Sequence, residues 1–124
     1  MENSAEVQPE YRRTRIVLKI SSLHAGPSAA LVELALKYSS LGCNLYVHKK
    51  GMDGTKYPDK FTMMHNNKKY LTMTSIIYAM GLAAQKGDML EFIATGDLAK
   101  TALREIHDLS QTFKEERPEN FLDA

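Results

Sequence analysis

The stretch LHAGPSAALVELALKYS, residues 23–39, decides the fold of this chain. An apolar segment leads into His24, a Gly-Pro pair follows, and apolar residues then recur at helical spacing. Proline suits the first helical position, because its φ angle is already helical and it lacks an N–H that would find no partner there. The pattern predicts a helix that begins at Gly26 and Pro27. Unpaired N–H groups and the positive end of the helix dipole would then lie beside His24 and favour phosphate chemistry.

The segments around this helix alternate between apolar and polar residues, as strands do. Ile16, Leu18 and Ile20 are predicted to face the core from a first strand that starts at Arg15. Further strand patterns follow at residues 43–48, 61–65, 68–73 and 89–95. Asn66-Asn67 lies between the two short ones and tolerates the positive φ angles of a tight hairpin turn.

Two more helices are predicted, a short one after Thr74-Ser75 and a last one from Asp97. The element order is taken as βαββαβα. Each helix has a single apolar face, which favours helices packed on one side of an antiparallel sheet. We therefore predict the α+β class, as an open-faced two-layer sandwich of a four-stranded antiparallel sheet with three helices on one face.

Composition sets the domain organisation and excludes several classes of function. The 124 residues suit one domain, predicted at residues 14–116, with an inserted loop at about 49–61 and mobile tails at 1–13 and 117–124. A formal net charge of +1 gives no global attraction for nucleic acid. No apolar run is long enough for membrane insertion. The single cysteine, Cys43, cannot form an internal disulfide, which favours a reducing, cytoplasmic location.

Two segments together resemble one known family. LHAGPSAALVELALKY, residues 23–38, resembles the active-site segment of HPr, the histidine-containing phosphocarrier protein of the phosphoenolpyruvate-dependent sugar phosphotransferase system. TSIIYAMGLAAQKGDMLEFIATG, residues 74–96, resembles the family's regulatory-serine helix and its following strand. Both segments occur in the family's order and at its spacing to a final helix.

The resemblance implies a phosphoryl carrier rather than an independent enzyme. His24 would accept the phosphoryl group from enzyme I and pass it to a sugar-permease A component. No metal or cofactor is needed for this transfer. The residues expected to hold the phosphate oxygens follow at the start of the helix: Gly26, Pro27, Ser28 and Ala29.

The resemblance also implies regulation. Ser75 aligns with the serine that HPr kinase/phosphorylase modifies in many members of the family, although an N-cap is its simpler interpretation. A phosphate there would repel an acidic docking partner. Ile76 and Met80, together with Ala29, are expected to form the docking patch, with Ile77 buried in the core.

One position departs from the family. Members usually carry arginine two residues after the active histidine, where this chain has Gly26. A guanidinium there makes charge-assisted bonds that contribute on the order of 1.5 to 3 kcal/mol each. The alternative function is therefore a signalling adaptor regulated by Ser75 phosphorylation, with weak carrier activity.

Other features favour simpler interpretations. His48, His65 and His107 have no partners at metal-ligand spacing and are predicted to be surface or edge residues. A third hypothesis, RNA binding, depends on a lysine-rich run with two aromatic residues between the lysines. Acidic residues interrupt this run, so a solvated loop is the preferred interpretation. The run comprises Lys49, Lys50, Lys56, Tyr57, Lys60, Phe61, Lys68 and Lys69.

Overall fold

The computed structural model describes residues 11–114. It contains five strands and three helices. In chain order they are β1 (Tyr11–Val17), α1 (Ala25–Ser39), β2 (Leu45–Lys49), β3 (Thr62–His65), β4 (Lys68–Thr72), α2 (Ile76–Gly81), β5 (Met89–Thr95) and α3 (Ala99–Ser110).

All strand pairs are antiparallel, and the strand order across the sheet is β1-β5-β2-β4-β3. The predicted α+β sandwich is confirmed, but the prediction of four strands was wrong. The segments on either side of Asn66-Asn67 pair with each other as two separate strands. Both asparagines have positive φ angles, 51° and 64°, as a tight hairpin turn requires.

The core lies between the sheet and the helices. Ile16, Leu18 and Ile20 are buried, as predicted, and so are Leu45 and Val47 of β2. The helices contribute apolar residues to the same cluster, including Leu31, Ala35, Tyr38, Ala102, Leu103 and Ile106. The opposite face of the sheet has no helix among residues 11–114.

The first strand begins earlier than the predicted start of the domain. β1 begins at Tyr11, so residues 11–13 belong to the sheet and not to the predicted N-terminal tail. The remainder of that tail and the C-terminal tail predicted at 117–124 lie outside the described residues. Between β2 and β3, the region predicted to be an inserted loop contains two short 3-10 turns, Gly54–Lys56 and Asp59–Phe61.

Candidate functional site

His24 occupies the N-cap position of α1, directly after the buried Leu23. Leu23 donates its N–H to the carbonyl oxygen of Ala84 at 3.0 Å, which ties this segment to the chain after α2. His24 itself is half-buried, in extended backbone conformation with φ −76° and ψ −172°. A half-buried histidine is thus held at the start of a 15-residue helix.

A hydrogen bond defines the tautomer of the neutral His24 ring. Its Nε2 lies 3.1 Å from the carbonyl oxygen of Lys114. A carbonyl oxygen only accepts, so Nε2 carries the proton and the neutral ring keeps its lone pair on Nδ1. Sequence reasoning missed Lys114, because a main-chain carbonyl distant in sequence leaves no pattern in the residue types.

The helix begins one residue earlier than predicted, and this changes which amides are free. The N–H of Ser28 donates to the carbonyl of His24 at 3.0 Å, as the first bond of α1. Ala25 and Gly26 therefore supply the unpaired amides at the N-terminus, since Pro27 has none. Sequence reasoning missed Ala25, because the start of the helix was placed by the preference of proline for the first position.

Ser28 does not fit its predicted role in phosphate binding. It is fully buried, and its hydroxyl donates to the carbonyl oxygen of Leu23 at 3.1 Å. Both of its donors are thus used inside the protein. Ala29 is exposed on the next position of the helix. Of the four predicted residues, only Gly26 offers a free amide at the helix start.

Gly26 leaves open space beside the histidine. A Cβ atom at this position would lie 3.4 Å from Cε1 and 3.7 Å from Nδ1 of His24, in ordinary van der Waals contact. The backbone of Gly26 has no positive φ that would restrict it to glycine. The site could therefore accept a side chain at position 26.

A cleft of about 340 Å³ adjoins His24 between α1 and the end of α3. The residues after α3 close one side of it and bring the Lys114 carbonyl to the ring. Its lining is mostly apolar and comprises His24, Gly26, Pro27, Ala30, Leu109, Thr112, Phe113 and Lys114.

Ser75 caps α2, which packs against α1. Its hydroxyl accepts a hydrogen bond from the N–H of Tyr78 at 3.4 Å, and the residue is half-buried. The predicted docking residues Ile76 and Met80 are exposed at 37% and 45%. The prediction that Ile77 is buried was wrong, since it is 76% exposed, and Ala79 is the residue of α2 that is buried. Ile76, Ile77 and Met80 therefore form an exposed apolar patch on α2.

The loop between β2 and β3 packs on α2 through aromatic rings. Tyr57 lies edge-on to Tyr78 with ring centroids 5.7 Å apart, and Phe61 lies 5.1 Å from the same ring. The Tyr57 hydroxyl also donates to the carbonyl of Gly81 at 3.3 Å. These contacts occupy the two rings on which the RNA-binding hypothesis depends.

Within residues 11–114, neither His48 nor His107 belongs to a metal site, and the helices do not suggest a membrane span. Nδ1 of His48 donates to the carbonyl of Lys69 at 2.9 Å, and His107 lies 3.7 Å from Asp108. Across residues 11–114, no three His, Cys, Asp or Glu side chains group closely enough to hold a metal ion. None of the helices in that part of the chain has the length and apolar character that a bilayer crossing requires.

A family model and solved structures both relate this chain to one family. A family model, the PTS HPr component phosphorylation site, matches residues 11–112. Among curated proteins, no match was found.

Solved structures give the same result. HPr-C-His from Thermoanaerobacter tengcongensis has a TM-score of 0.58 at 25% identity, over 82% of this chain and 92% of the other. The phosphocarrier protein HPr from Bacillus anthracis str. Ames also has a TM-score of 0.58, at 20% identity, over 80% of this chain and 95% of the other. At 20% identity, the similarity to the Bacillus anthracis protein shows a shared fold only.

Proposed function

This chain belongs to the HPr family, the phosphocarriers of the sugar phosphotransferase system, and on that basis we propose that it carries its phosphoryl group on His24. The donor is enzyme I and the acceptor a sugar-permease A component, both proteins of the cytoplasm. Beside family membership, the single structural observation that supports His24 is its place at the N-cap of α1, with Nε2 bonded to the Lys114 carbonyl.

That bond selects the reacting nitrogen. With the proton held on Nε2, the Nδ1 lone pair attacks phosphorus, and the bond from phosphorus to the donor breaks with its electron pair leaving on the donor. Positive charge spreads over the ring as the new P–N bond forms. The Lys114 carbonyl stabilises that charge through the Nε2–H, because charge-assisted hydrogen bonds are stronger than neutral ones.

The phosphoryl oxygens are held by the N-terminus of α1. The free amides of Ala25 and Gly26 donate to them, and the dipole of a 15-residue helix favours their negative charge. No arginine supports these amides at position 26. The transition state of phosphoryl transfer is therefore stabilised less here than in family members that have arginine at this position.

The test is phosphorylation by phosphoenolpyruvate and enzyme I. Wild-type protein gains one acid-labile phosphate, and the His24→Ala variant gains none. His107→Ala is the matched control, because it removes an exposed histidine from α3 and should label fully. Equal labelling of wild type and His24→Ala would refute the assignment.

A second function, regulation through Ser75, is favoured by the place of this side chain. Its hydroxyl caps α2 beside exposed Ile76 and Met80, so a phosphate on it would add negative charge at the edge of the docking patch. The same surface, with Ala29 of α1, would bind enzyme I and HPr kinase/phosphorylase. The alternative form of this proposal is a signalling adaptor that is regulated by Ser75 phosphorylation. Its carrier activity is weak because Gly26 replaces the family's arginine.

ATP with HPr kinase/phosphorylase tests this regulation. The expected product is an acid-stable phosphate that is absent from Ser75→Ala and present in Ser110→Ala, a control serine at the end of α3. Phosphorylated protein should bind enzyme I more weakly. An unchanged enzyme I affinity in both the phosphorylated protein and Ser75→Asp would reject the regulatory role.

A further inference from the structure

A cluster of charged residues lies on the sheet face away from the helices. Arg15 of β1 is directly opposite Glu91 of β5, and Glu91 is also opposite His48 of β2. Lys68 of β4 reaches the same carboxylate from the far side. Four strands therefore bring their side chains to one place on this face.

Glu91 is the centre of the cluster. Its side chain is only 5% exposed, and Tyr70 donates its hydroxyl to Oε2 at 2.5 Å. Arg13 Nη1 approaches the same oxygen at 3.3 Å, while Arg15 Nε and Lys68 Nζ approach Oε1 at 3.4 and 3.3 Å. One buried carboxylate thus positions three cations.

The Glu91 carboxylate does not use all the N–H donors of the cations around it. Arg15 directs only Nε towards it and Lys68 has further N–H donors, yet among residues 11–114 no other carboxylate pairs with either. Both side chains remain about half exposed, at 51% and 42%. These unused donors face outward beside the carboxylate.

The cations border a cleft of about 360 Å³. Lys50 lines it too, and in the described part of the chain no carboxylate pairs with this lysine. Three cations, Arg15, Lys50 and Lys68, line the cleft with one carboxylate and leave an excess of two positive charges. The remaining walls are Met89 and His48, whose Nδ1 is bonded to the Lys69 carbonyl and whose Nε2 is left for a ligand.

We propose that this cleft binds a small phosphate monoester, held by Arg15, Lys50 and Lys68. A phosphate dianion matches the charge excess better than a single carboxylate. Arginine and lysine N–H groups are the donors that proteins use most for phosphate oxygens. The volume of the cleft suits a small metabolite, and His48 and Met89 offer contact for its organic part.

The site is separate from the phosphoryl carrier site. The two clefts share no residue, and this one lies on the sheet face that the helices do not cover. The inference therefore does not depend on the chemistry of His24.

The test is an NMR titration of the whole protein at constant ionic strength with three probes. Glycerol 3-phosphate is the monoester, inorganic phosphate lacks the organic part, and glycerol lacks the charge. Saturable shifts of the amides around Arg15, His48 and Glu91 are expected with glycerol 3-phosphate, with weaker binding of phosphate and none of glycerol. Equal affinity for phosphate and the monoester would overturn the metabolite assignment.

Variants locate the binding. Lys50→Gln removes a cation that does not touch Glu91 and so leaves the sheet intact, and Lys68→Gln removes one that does. Each should weaken binding by about three- to tenfold, since both groups are partly exposed. Lys69→Gln is the matched control, because this neighbouring lysine pairs with Asp59 instead, and its affinity should change less than about twofold. Equal affinity in all three variants, or shifts confined to Ala25 and Gly26, would overturn the proposal.

Discussion

At the scale of single residues, we expect position 26 to limit the rate of the proposed phosphorylation of His24. The HPr family usually has arginine there, and this chain has Gly26 beside the His24 ring. We expect Gly26→Arg to speed the phosphorylation of His24 by enzyme I about 10- to 100-fold, because one charge-assisted contact contributes on the order of 1.5 to 3 kcal/mol. Single-turnover labelling measures this rate directly.

The control for that prediction separates charge from bulk. Gly26→Gln adds a side chain in the same open space without the positive charge, so its rate should stay within about threefold of wild type. If the glutamine and arginine variants are equally fast, the missing guanidinium is not what limits this carrier.

Sequence reasoning at this scale located side chains better than main-chain atoms. The position of His24 before a helix and the capping role of Ser75 could be predicted, because residue types carry that information. The Lys114 carbonyl and the exact free amides could not, since every residue has the same main-chain groups. Ile77 was misplaced because helical spacing does not say which side of a six-residue helix meets the core.

At the scale of elements, α2 depends on its cap. The helix has six residues, too few to be stable alone, and Ser75 satisfies the N–H of Tyr78. Ser75→Ala should lower the free energy of unfolding by about 0.5 to 1 kcal/mol, the low end for a lost cap because the bond is long. Urea titrations measure this free energy. Ser75→Asp keeps a hydrogen-bond acceptor at the N-cap, so its free energy of unfolding should stay near that of wild type. A loss of stability equal in both variants would show that the hydroxyl does not cap the helix.

The loop between β2 and β3 is the second element whose order depends on few contacts. Tyr57 packs edge-on against Tyr78 and bonds to Gly81. We expect Tyr57→Ala to raise amide hydrogen exchange in residues 52–61 roughly tenfold or more, while exchange in β5 stays unchanged because that strand is buried in the sheet. Lys60→Ala is the control within the loop. Unchanged exchange in Tyr57→Ala would mean that the loop is ordered by other contacts.

The strand count shows what element-level prediction lacks. Both segments around Asn66-Asn67 carry a strand pattern, and the asparagines predict the turn. What the pattern does not say is whether a short hairpin adds two strands to the sheet or extends one. That depends on pairing between β2 and β4, which is a contact between residues about 25 positions apart.

At the scale of the whole molecule, Glu91 joins the sheet across its uncovered face. Burial by itself would raise the pKa of this carboxyl. Hydrogen bonds from Tyr70 and Lys68, the charge of Lys68 and the bond from Arg15 outweigh burial and lower the pKa to about 2. The carboxylate therefore links strands β1 and β4 to the interior strand β5 over nearly the whole range of pH.

This linkage predicts how stability depends on pH. The unfolded chain binds the proton near the ordinary pKa of 4.5, and the folded protein binds it only near 2. The stabilisation is then complete above about pH 5 and is lost as the pH falls from about 5 to about 2, by on the order of 3 kcal/mol. Glu91→Gln cannot ionise but still accepts a bond from Tyr70, so its free energy of unfolding should fall less between about pH 6 and pH 2. Urea titrations of both proteins measure the difference, with the exposed Glu33→Gln as the control that should follow wild type. If Glu91→Gln loses as much stability in acid as wild type does, the cations around Glu91 do not hold it ionised.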